Sequence, residues 1–435
     1  MTTFDDVLPR LAKILAHHLD TLNRIRPVYV NRDLNGRIRL IVDEKWRDIS
    51  ECKTVLDDIV KSMYDSLSPH AYPPEHAVLW ETDPDALLSG QTSFPLETCP
   101  DIRVVDRLAV EGDWAHIAPV TTATPRVVFF SIKGGVGRSS ALAAVAWALA
   151  EQGKRVLVLD LDLESPGLST SLLPDDRRPT KGIADWLVED LVDNGDAVLD
   201  DMWAASTLSR EGDISVVPAH GGDPGEYIAK LGRVWMPKLD ANGRREAWPE
   251  RLRRLLHVLE EKLKPDVVLI DSRAGIDEVA SACITSLGAS LILLFAFDGD
   301  QTWSGYRIIF QHWLKTNSVR MIRERLQVVG AMVPETGGAD YLECLRDSAW
   351  NAFVEKLYDE VPAGAEPALA DSWSFDQGDE SAPHAPWPIR WNRGFAAVRS
   401  LHDRLDGIDR QEVMSVFGPL IDGVTRMTIL EHDAI

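Results

Sequence analysis

Apolar positions along the chain fall into two recurring patterns. Continuous runs of β-branched, leucine and aromatic residues stand at Val127–Phe130, within Arg155–Leu168 (RVLVLDLDLESPGL), within Asp266–Glu278 (DVVLIDSRAGIDE), at Ser290–Phe297 and at Leu326–Val333. Short runs without alternation predict strands of a parallel sheet covered on both faces. Helical spacing intervenes at Lys181–Leu191, in the arginine-rich stretch before Asp266 and at Thr302–Leu314, and Asp213–Pro218 (DISVVP) adds a further strand. This alternation predicts an α/β fold with a mostly parallel, doubly wound sheet.

The flanks read differently. Phe4–Leu22 and Ile49–Leu67 have helical periodicity, Val28–Val42 reads as a hairpin turning at Asp33-Leu34-Asn35-Gly36, and Ala77–Trp80 and Ile102–Val105 suggest strands. Ser68–Asp101 is otherwise proline-rich and reads as loops, and Thr121–Pro125 as a linker. A small α+β domain is therefore expected over 1–120, a central α/β domain over 126–334, and a mainly helical extension over 335–435, with helical pattern at Tyr341–Tyr358 and Gly394–Leu405 and core anchors at Trp373, Trp387 and Trp391. A chain of 435 residues exceeds one ordinary core, in keeping with two or three domains.

The first strand of the central domain runs directly into Lys133-Gly134-Gly135-Val136-Gly137-Arg138-Ser139-Ser140 and then an alanine-rich helix. Three glycines let backbone N–H groups turn inward and approach a ligand, and a helix start adds unpaired N–H groups and the positive end of its dipole. Such a turn binds anions. The next two strands end in Asp160 and Asp162, and in Asp271, at the carboxyl ends where open α/β sheets hold ligands.

These residues resemble the ParA/MinD superfamily of P-loop ATPases. KGGVGRSS is similar to that family's deviant Walker A motif, KGGxGK[ST], with Arg138 in place of the ordinary P-loop lysine; against the general GxxxxGK[ST] pattern the chain departs at Ile132 and Arg138. The resemblance implies ATP and Mg²⁺ as ligands. It also implies that Lys133 reaches the phosphates of a second subunit in a nucleotide-sandwich dimer, that Ser139 coordinates Mg²⁺, and that Arg138 stays at its own β- and γ-phosphates. Asp160 and Asp162 match the Asp-x-Asp stretch leading into switch I, which would join Ser139 and Asp271 in the metal site, with Asp162 also orienting the attacking water. Asp271 matches the Walker B carboxylate acting on Mg²⁺ through water, Gly275 would lie near the γ-phosphate, and Arg273 replaces the usual proline of DSPAG. Pro334 stands where relatives carry an adenine-reading asparagine, so ATP is inherited from the family. On this reading Ala382–Trp391 (APHAPWPIRW) is a loop over the nucleotide or dimer edge. KGGVGR also resembles ATPases of bacterial conflict or anti-phage systems, and a protein partner is expected through the N- or C-terminal region.

Charge and cysteines narrow the classes. A net charge of −22 argues against a generic polyanion binder, and from Glu335 onward 8 Lys or Arg face 19 Asp or Glu. The cluster Arg244, Arg245, Arg251, Arg253 and Arg254 reads as a solvated helix face, with a nucleic-acid or acidic-partner patch as the alternative. Cys52, Cys99, Cys283 and Cys344 lack CxxC spacing, which speaks against zinc and iron–sulfur clusters, and His17, His18 and His312 have no partner at ligand spacing. Without an apolar run of spanning length, a secretory signal or a basic amphipathic C-terminus, a cytoplasmic protein with no membrane anchor is expected. A nucleotide-dependent switch with slow hydrolysis competes with a non-hydrolysing, nucleotide-gated scaffold, because the guanidinium fork of Arg138 does not reproduce a compact ammonium. A small-molecule ligase or synthetase with a similar fold fits less well, given Lys133.

Overall fold

The computed structural model describes residues 2–88, 91–108, 112–208, 212–239, 243–360, 372–396 and 410–430. Two compact units result, Met1–Glu111 with Lys315–Ser318, and Gly112–Leu314 with Val319–Ile435.

In the first unit β1 (Val28–Arg32), β2 (Ile38–Asp43), β3 (Val78–Glu81), β4 (Thr92–Leu96) and β5 (Cys99–Asp106) form one sheet in the order β3-β2-β1-β5-β4. The β1–β2 turn is built as its residues suggest. Asp33 Oδ1 accepts the backbone N–H groups of Asn35 and Arg37, and Gly36 takes φ +77°. Helices α1 (Phe4–Ala16) and α2 (Ser50–Leu67) cover one face, burying Leu11, Leu15, Ile59 and Met63 against Val30, Leu40 and Val104. The first helix is shorter than its pattern, since a second helix, Leu19–Arg24, follows a break. Thr92–Leu96, expected as loop because of Pro95, is a strand. It lies at the sheet edge, where a residue without an N–H costs no interior ladder bond.

The second unit contains β6 (Arg126–Ser131), β7 (Val156–Asp160), β8 (Ala204–Ala205), β9 (Ile214–Val217), β10 (Lys238–Leu239), β11 (Arg245–Glu246), β12 (Val267–Asp271), β13 (Leu291–Ala296), β14 (Leu326–Val333) and β15 (Trp387–Arg390). Apart from the β10–β11 pair, they make one sheet ordered β15-β14-β13-β6-β12-β7-β9-β8, parallel except where β8 meets β9. Strands β6, β7, β12 and β13 are buried along their length because their side chains enter two different layers. Val128 and Phe130 join the core beneath α4 (Ile183–Asp190), α5 (Trp248–Leu263), α6 (Asp300–Lys315) and α7 (Gly338–Lys356). Val127 and Phe129 join the core beneath α3 (Arg138–Ala150) and α8 (Arg410–Thr425). The mostly parallel, doubly wound sheet expected from the continuous runs is the fold observed.

Residues beyond 335 are built into this second unit. Strand β15 extends the sheet beside β14, and α8 sets Val413, Val416, Phe417, Leu420, Ile421 and Val424 against α3 and β15. With α8 on its outer side, α3 is buried at every residue from Ala141 to Ala150, which is why its sequence is apolar all round. Ala382–Trp391 is therefore no free loop over the ligand edge: Trp387–Arg390 pairs with β14, and its proline, Pro388, again occupies an edge strand. Trp373 packs on Tyr358 and Phe375 and carries Arg323 over its ring, Trp387 is half-buried, and Trp391 is exposed. Most of the Gly394–Leu405 pattern, together with Glu431 and Asp433 of the acidic C-terminus, lies outside the described residues. Among the described residues no helix is long and apolar enough to cross a membrane.

The α8 docking hinges on Gly423, where a Cβ would stand 2.6 Å from the Trp387 ring. Gly423→Ala is expected to cost about 1–3 kcal/mol through overpacking. Gly232→Ala, at an exposed helical position with nothing within 4 Å, is expected to gain up to about 1 kcal/mol. Chemical denaturation of both variants checks the opposite signs.

Candidate functional site

Three adjacent strands bring the candidate residues to one place. In β7-β12-β6 register, Asp271 pairs with Asp160 on one side and with Phe129, two residues before the end of β6, on the other. The glycine loop and both aspartate motifs thus leave the sheet side by side at its carboxyl edge. Backbone bonds tie the three exits together: Leu161 N–H donates to Asp271 O (3.0 Å), Ser272 N–H to Phe129 O (3.2 Å) and Gly275 N–H to Ser131 O (2.9 Å).

The loop itself is open. Gly135 and Gly137 take φ of +76° and +80°, and a Cβ built at Gly134, Gly135 or Gly137 meets nothing within 4 Å, so these glycines serve backbone conformation and leave free space above the loop. Val136 is buried and anchors the loop to the core; Ser140 is half-buried in the first turn of α3. Lys133, also half-buried, holds its Nζ 5.0 Å from the Phe297 ring centroid, and no ion pair of Lys133 is present among the described residues.

Arg138 is directed inward. Its Nε donates to Asp271 Oδ1 at 2.6 Å, its Nη1 to Ser131 Oγ at 2.8 Å, and its Nη2 lies 3.6 Å from Asp162 Oδ2; the side chain is 8% exposed. Sequence reasoning set this arginine on the phosphates, and missed that a guanidinium fork at the first turn of α3 reaches the carboxylates at the ends of β12 and β7. Ser139 Oγ donates to the other Asp271 oxygen at 2.5 Å, so both oxygens of a carboxylate 1% exposed are engaged. Removing one partner of so buried a pair costs about 3–5 kcal/mol. Arg273, by contrast, pairs at the rim with Glu164 (2.6 Å) and Asp277 (3.3 Å), all three partly exposed, in interactions worth roughly 0–1 kcal/mol.

The carboxylates differ among themselves. Asp160 is fully buried; it accepts the N–H groups of Leu168 and Asp162, yet desolvation, reinforced by the charges of Asp271 and Asp162, pushes it up to about 8. Burial also raises Asp162, against the pull of Arg138, and its Oδ1 accepts Ser165 N–H. Gly275, at φ +102°, has no neighbour within 4 Å of a built Cβ.

Elsewhere the structure separates what looked alike. Arg251 of the arginine cluster is fully buried, donating to Asp190, Met236 O and Leu187 O, and so does not belong to a solvated face; Arg254, partly exposed, pairs with Asp190 and Glu246 over the Trp186 ring. Arg244, Arg253 and Arg254 line a cavity of about 690 Å³ near Arg126, at the start of β6 and so at the opposite end of the sheet from the glycine loop. His17 is exposed and hydrogen-bonded to Lys13 O. All four cysteines are free, with Cys52, Cys99 and Cys283 buried and Cys344 exposed.

A carboxyl whose folded pKa is raised stabilises the fold below its unfolded value, and that stability fades as pH rises through the folded one. In chelator-containing buffer the chain is expected to lose thermal stability between about pH 4 and pH 8 from this source. Asp160→Asn, neutral throughout, is expected to flatten that slope when melting temperature is followed against pH.

An iron–sulfur cluster carrier protein of Salmonella typhimurium is 50% identical over 48 residues, 11% of this chain and 13% of that protein. One of Methanocaldococcus jannaschii is 33% identical over 87 residues, 20% and 29% of the two chains. The chain thus spans less than a third of the length of these curated relatives. Among solved structures, the septum site-determining protein MinD of Pyrococcus horikoshii, complexed with Mg-ADP, has a TM-score of 0.41 at 19% identity, over 71% of this chain and 98% of that one. A ParA family ATPase of Chlorobium tepidum has a TM-score of 0.34 at 20% identity, over 48% and 74%. The model of the CobQ/CobB/MinD/ParA nucleotide binding domain matches residues 127–410, from the strand before the glycine loop to the start of α8 and more than half of the chain, and to that family the chain belongs.

Proposed function

We propose that the chain is a Mg²⁺-dependent ATP-binding switch that dimerises on its nucleotide and hydrolyses it slowly. The observation that carries this reading is the meeting of an open glycine loop, a helix start, the Ser139 hydroxyl and the Asp271 carboxylate at the ends of adjacent strands. Open backbone with a helix dipole behind it suits phosphate oxygens. ATP, and not another nucleoside triphosphate, comes with the family resemblance.

The donor set fits Mg²⁺. Ser139, Asp271 and Asp162 offer hard oxygens, and the guanidinium of Arg138 is a resident cation among them. Among the described residues no three His, Cys, Asp or Glu side chains converge to hold a metal by themselves, as befits an ion that takes one or two carboxylates and completes its shell with water and phosphate. Mg²⁺ when bound neutralises charge on the phosphate oxygens. The chain's own residues then have distinct tasks: loop N–H groups from Gly134 to Ser139 hold phosphate, Ser139 and Asp271 hold the metal, Asp160 supports them from β7, and Asp162 positions water. Lys133, with no carboxylate partner among the described residues, is the residue available to a second subunit. Protein partners would act through the N-terminal unit or the C-terminal segment, in the cytoplasm. The cluster chemistry named for the curated relatives is left out of the proposal, because the four free cysteines are dispersed over both units.

A scaffold that binds nucleotide without turnover is the second reading. It is favoured by Arg138, whose bond to Asp271 occupies the carboxylate a hydrolytic site would use.

Calorimetry with Mg²⁺ and ATP or ADP tests binding: Ser139→Ala and Asp271→Asn are expected to weaken metal-dependent affinity at least about tenfold, ~1.4 kcal/mol, and His17→Ala to leave it unchanged. Failure of the folded parent to bind either nucleotide refutes the proposal. Lys133→Ala is expected to abolish dimerisation with a non-hydrolysable ATP analogue, seen by light scattering, while monomer binding persists. Arg138→Lys is expected to keep binding and to raise phosphate release several-fold; a parent that binds ATP and releases no phosphate selects the scaffold.

A further inference from the structure

Three cations belong to the loops around the glycine turn, and the structure gives each a different environment. Arg138 is buried and engaged with Asp271, Ser131 and Asp162. Lys133 lies against Phe297. Arg273 stands two residues beyond the end of β12 and two before Gly275, whose N–H bonds to Ser131 O at the start of the glycine loop. Its guanidinium crosses to Glu164, two residues beyond Asp162 in the loop that leaves β7. It therefore joins the loops that leave β12 and β7, both on one side of the glycine turn, at the rim and not in the carboxylate cluster.

We propose that Arg273 is the residue by which this chain tells a nucleoside triphosphate from a diphosphate, leaving Glu164 to bind the terminal phosphate. This rests on the nucleotide-binding reading given above. Elimination and energetics both favour Arg273. Moving Arg138 outward would strand Asp271, which is 1% exposed, without its counter-charge. Arg273 has a partly exposed and hence weak partner, and releasing it strands nothing: Glu164 is half in water, and Asp277 keeps its bond to Ala280 N–H as the cap of the following helix. A phosphate with its negative oxygens arrayed for a planar fork is a stronger acceptor than a single solvated carboxylate. Glu164 is then the competitor that holds Arg273 aside until a third phosphate arrives.

The test compares dissociation constants for a non-hydrolysable ATP analogue and for ADP, both with Mg²⁺, in the full-length parent, Arg273→Ala, Arg273→Lys and Glu164→Gln. Arg273→Ala is expected to lose roughly tenfold in affinity for the triphosphate and less than about twofold for ADP, and Arg273→Lys to recover part of the loss. Glu164→Gln, which removes the competitor and leaves Arg273 intact, is expected to tighten the triphosphate about two- to threefold with ADP unchanged. A parent that binds both nucleotides while the ratio stays constant across the variants, or an equal loss for both nucleotides in Arg273→Ala, overturns the assignment and leaves the nucleotide reading standing. A folded parent that binds neither overturns both. Should Arg273→Ala fail to fold, Glu164→Gln decides alone, and an unmoved ratio there counts against the assignment.

Discussion

The contact between Arg138 and Asp271 is the one on which the rest of the site depends. A single guanidinium, carried by the first residue of α3, bonds to the last residue of β12, to the last residue of β6 and approaches the loop beyond β7. Helix start, two strand ends and a neighbouring loop are thereby joined through one side chain. An ammonium at the same position has one charged centre and no planar fork, so it could not bridge these groups in the same way. What the substitution removes from the phosphate side it adds to the rigidity of the carboxylate side.

The central sheet was legible because its strands are buried on both faces. Val127–Phe130 and Val156–Leu159 have no polar residue to blur the pattern. Two of the strands that escaped notice, β4 and β15, are edge strands containing Pro95 and Pro388, and a proline that breaks an interior strand is harmless at an edge. Side-chain direction was the less legible part of the site. Spacing identified Arg138 as a loop residue but carried no information on which of two neighbours, anion or carboxylate, its long side chain would meet. Arg251 was hidden for a related reason: nothing local distinguishes it from Arg253, and only the arrival of Asp190 from another helix makes its burial affordable.

Support for the glycine loop is spread over a long stretch of chain. The helix that follows the loop is roofed by α8, which comes from the last part of the sequence, and α8 in turn lies on β15. Acidic composition suggested an appendage, yet the residues that matter there are apolar: Phe417, Leu420 and Ile421 close the layer that Ala141–Ala150 would otherwise expose. Net charge describes the solvent side of such a segment and says little about the side that packs.

The two rims of the large sheet share a property with consequences for assembly. One ends in β8, two residues long and antiparallel to its neighbour, and the other in β15, four residues long with a proline among them. Neither presents a run of unpaired N–H and C=O groups from which a foreign strand could continue the ladder. Edge-to-edge extension of this sheet is thus discouraged by construction, and a second copy meeting either of these rims has to be recognised through side chains and loops. Recognition of that kind can be made and unmade as the loops change shape, whereas a shared ladder would lock two chains together.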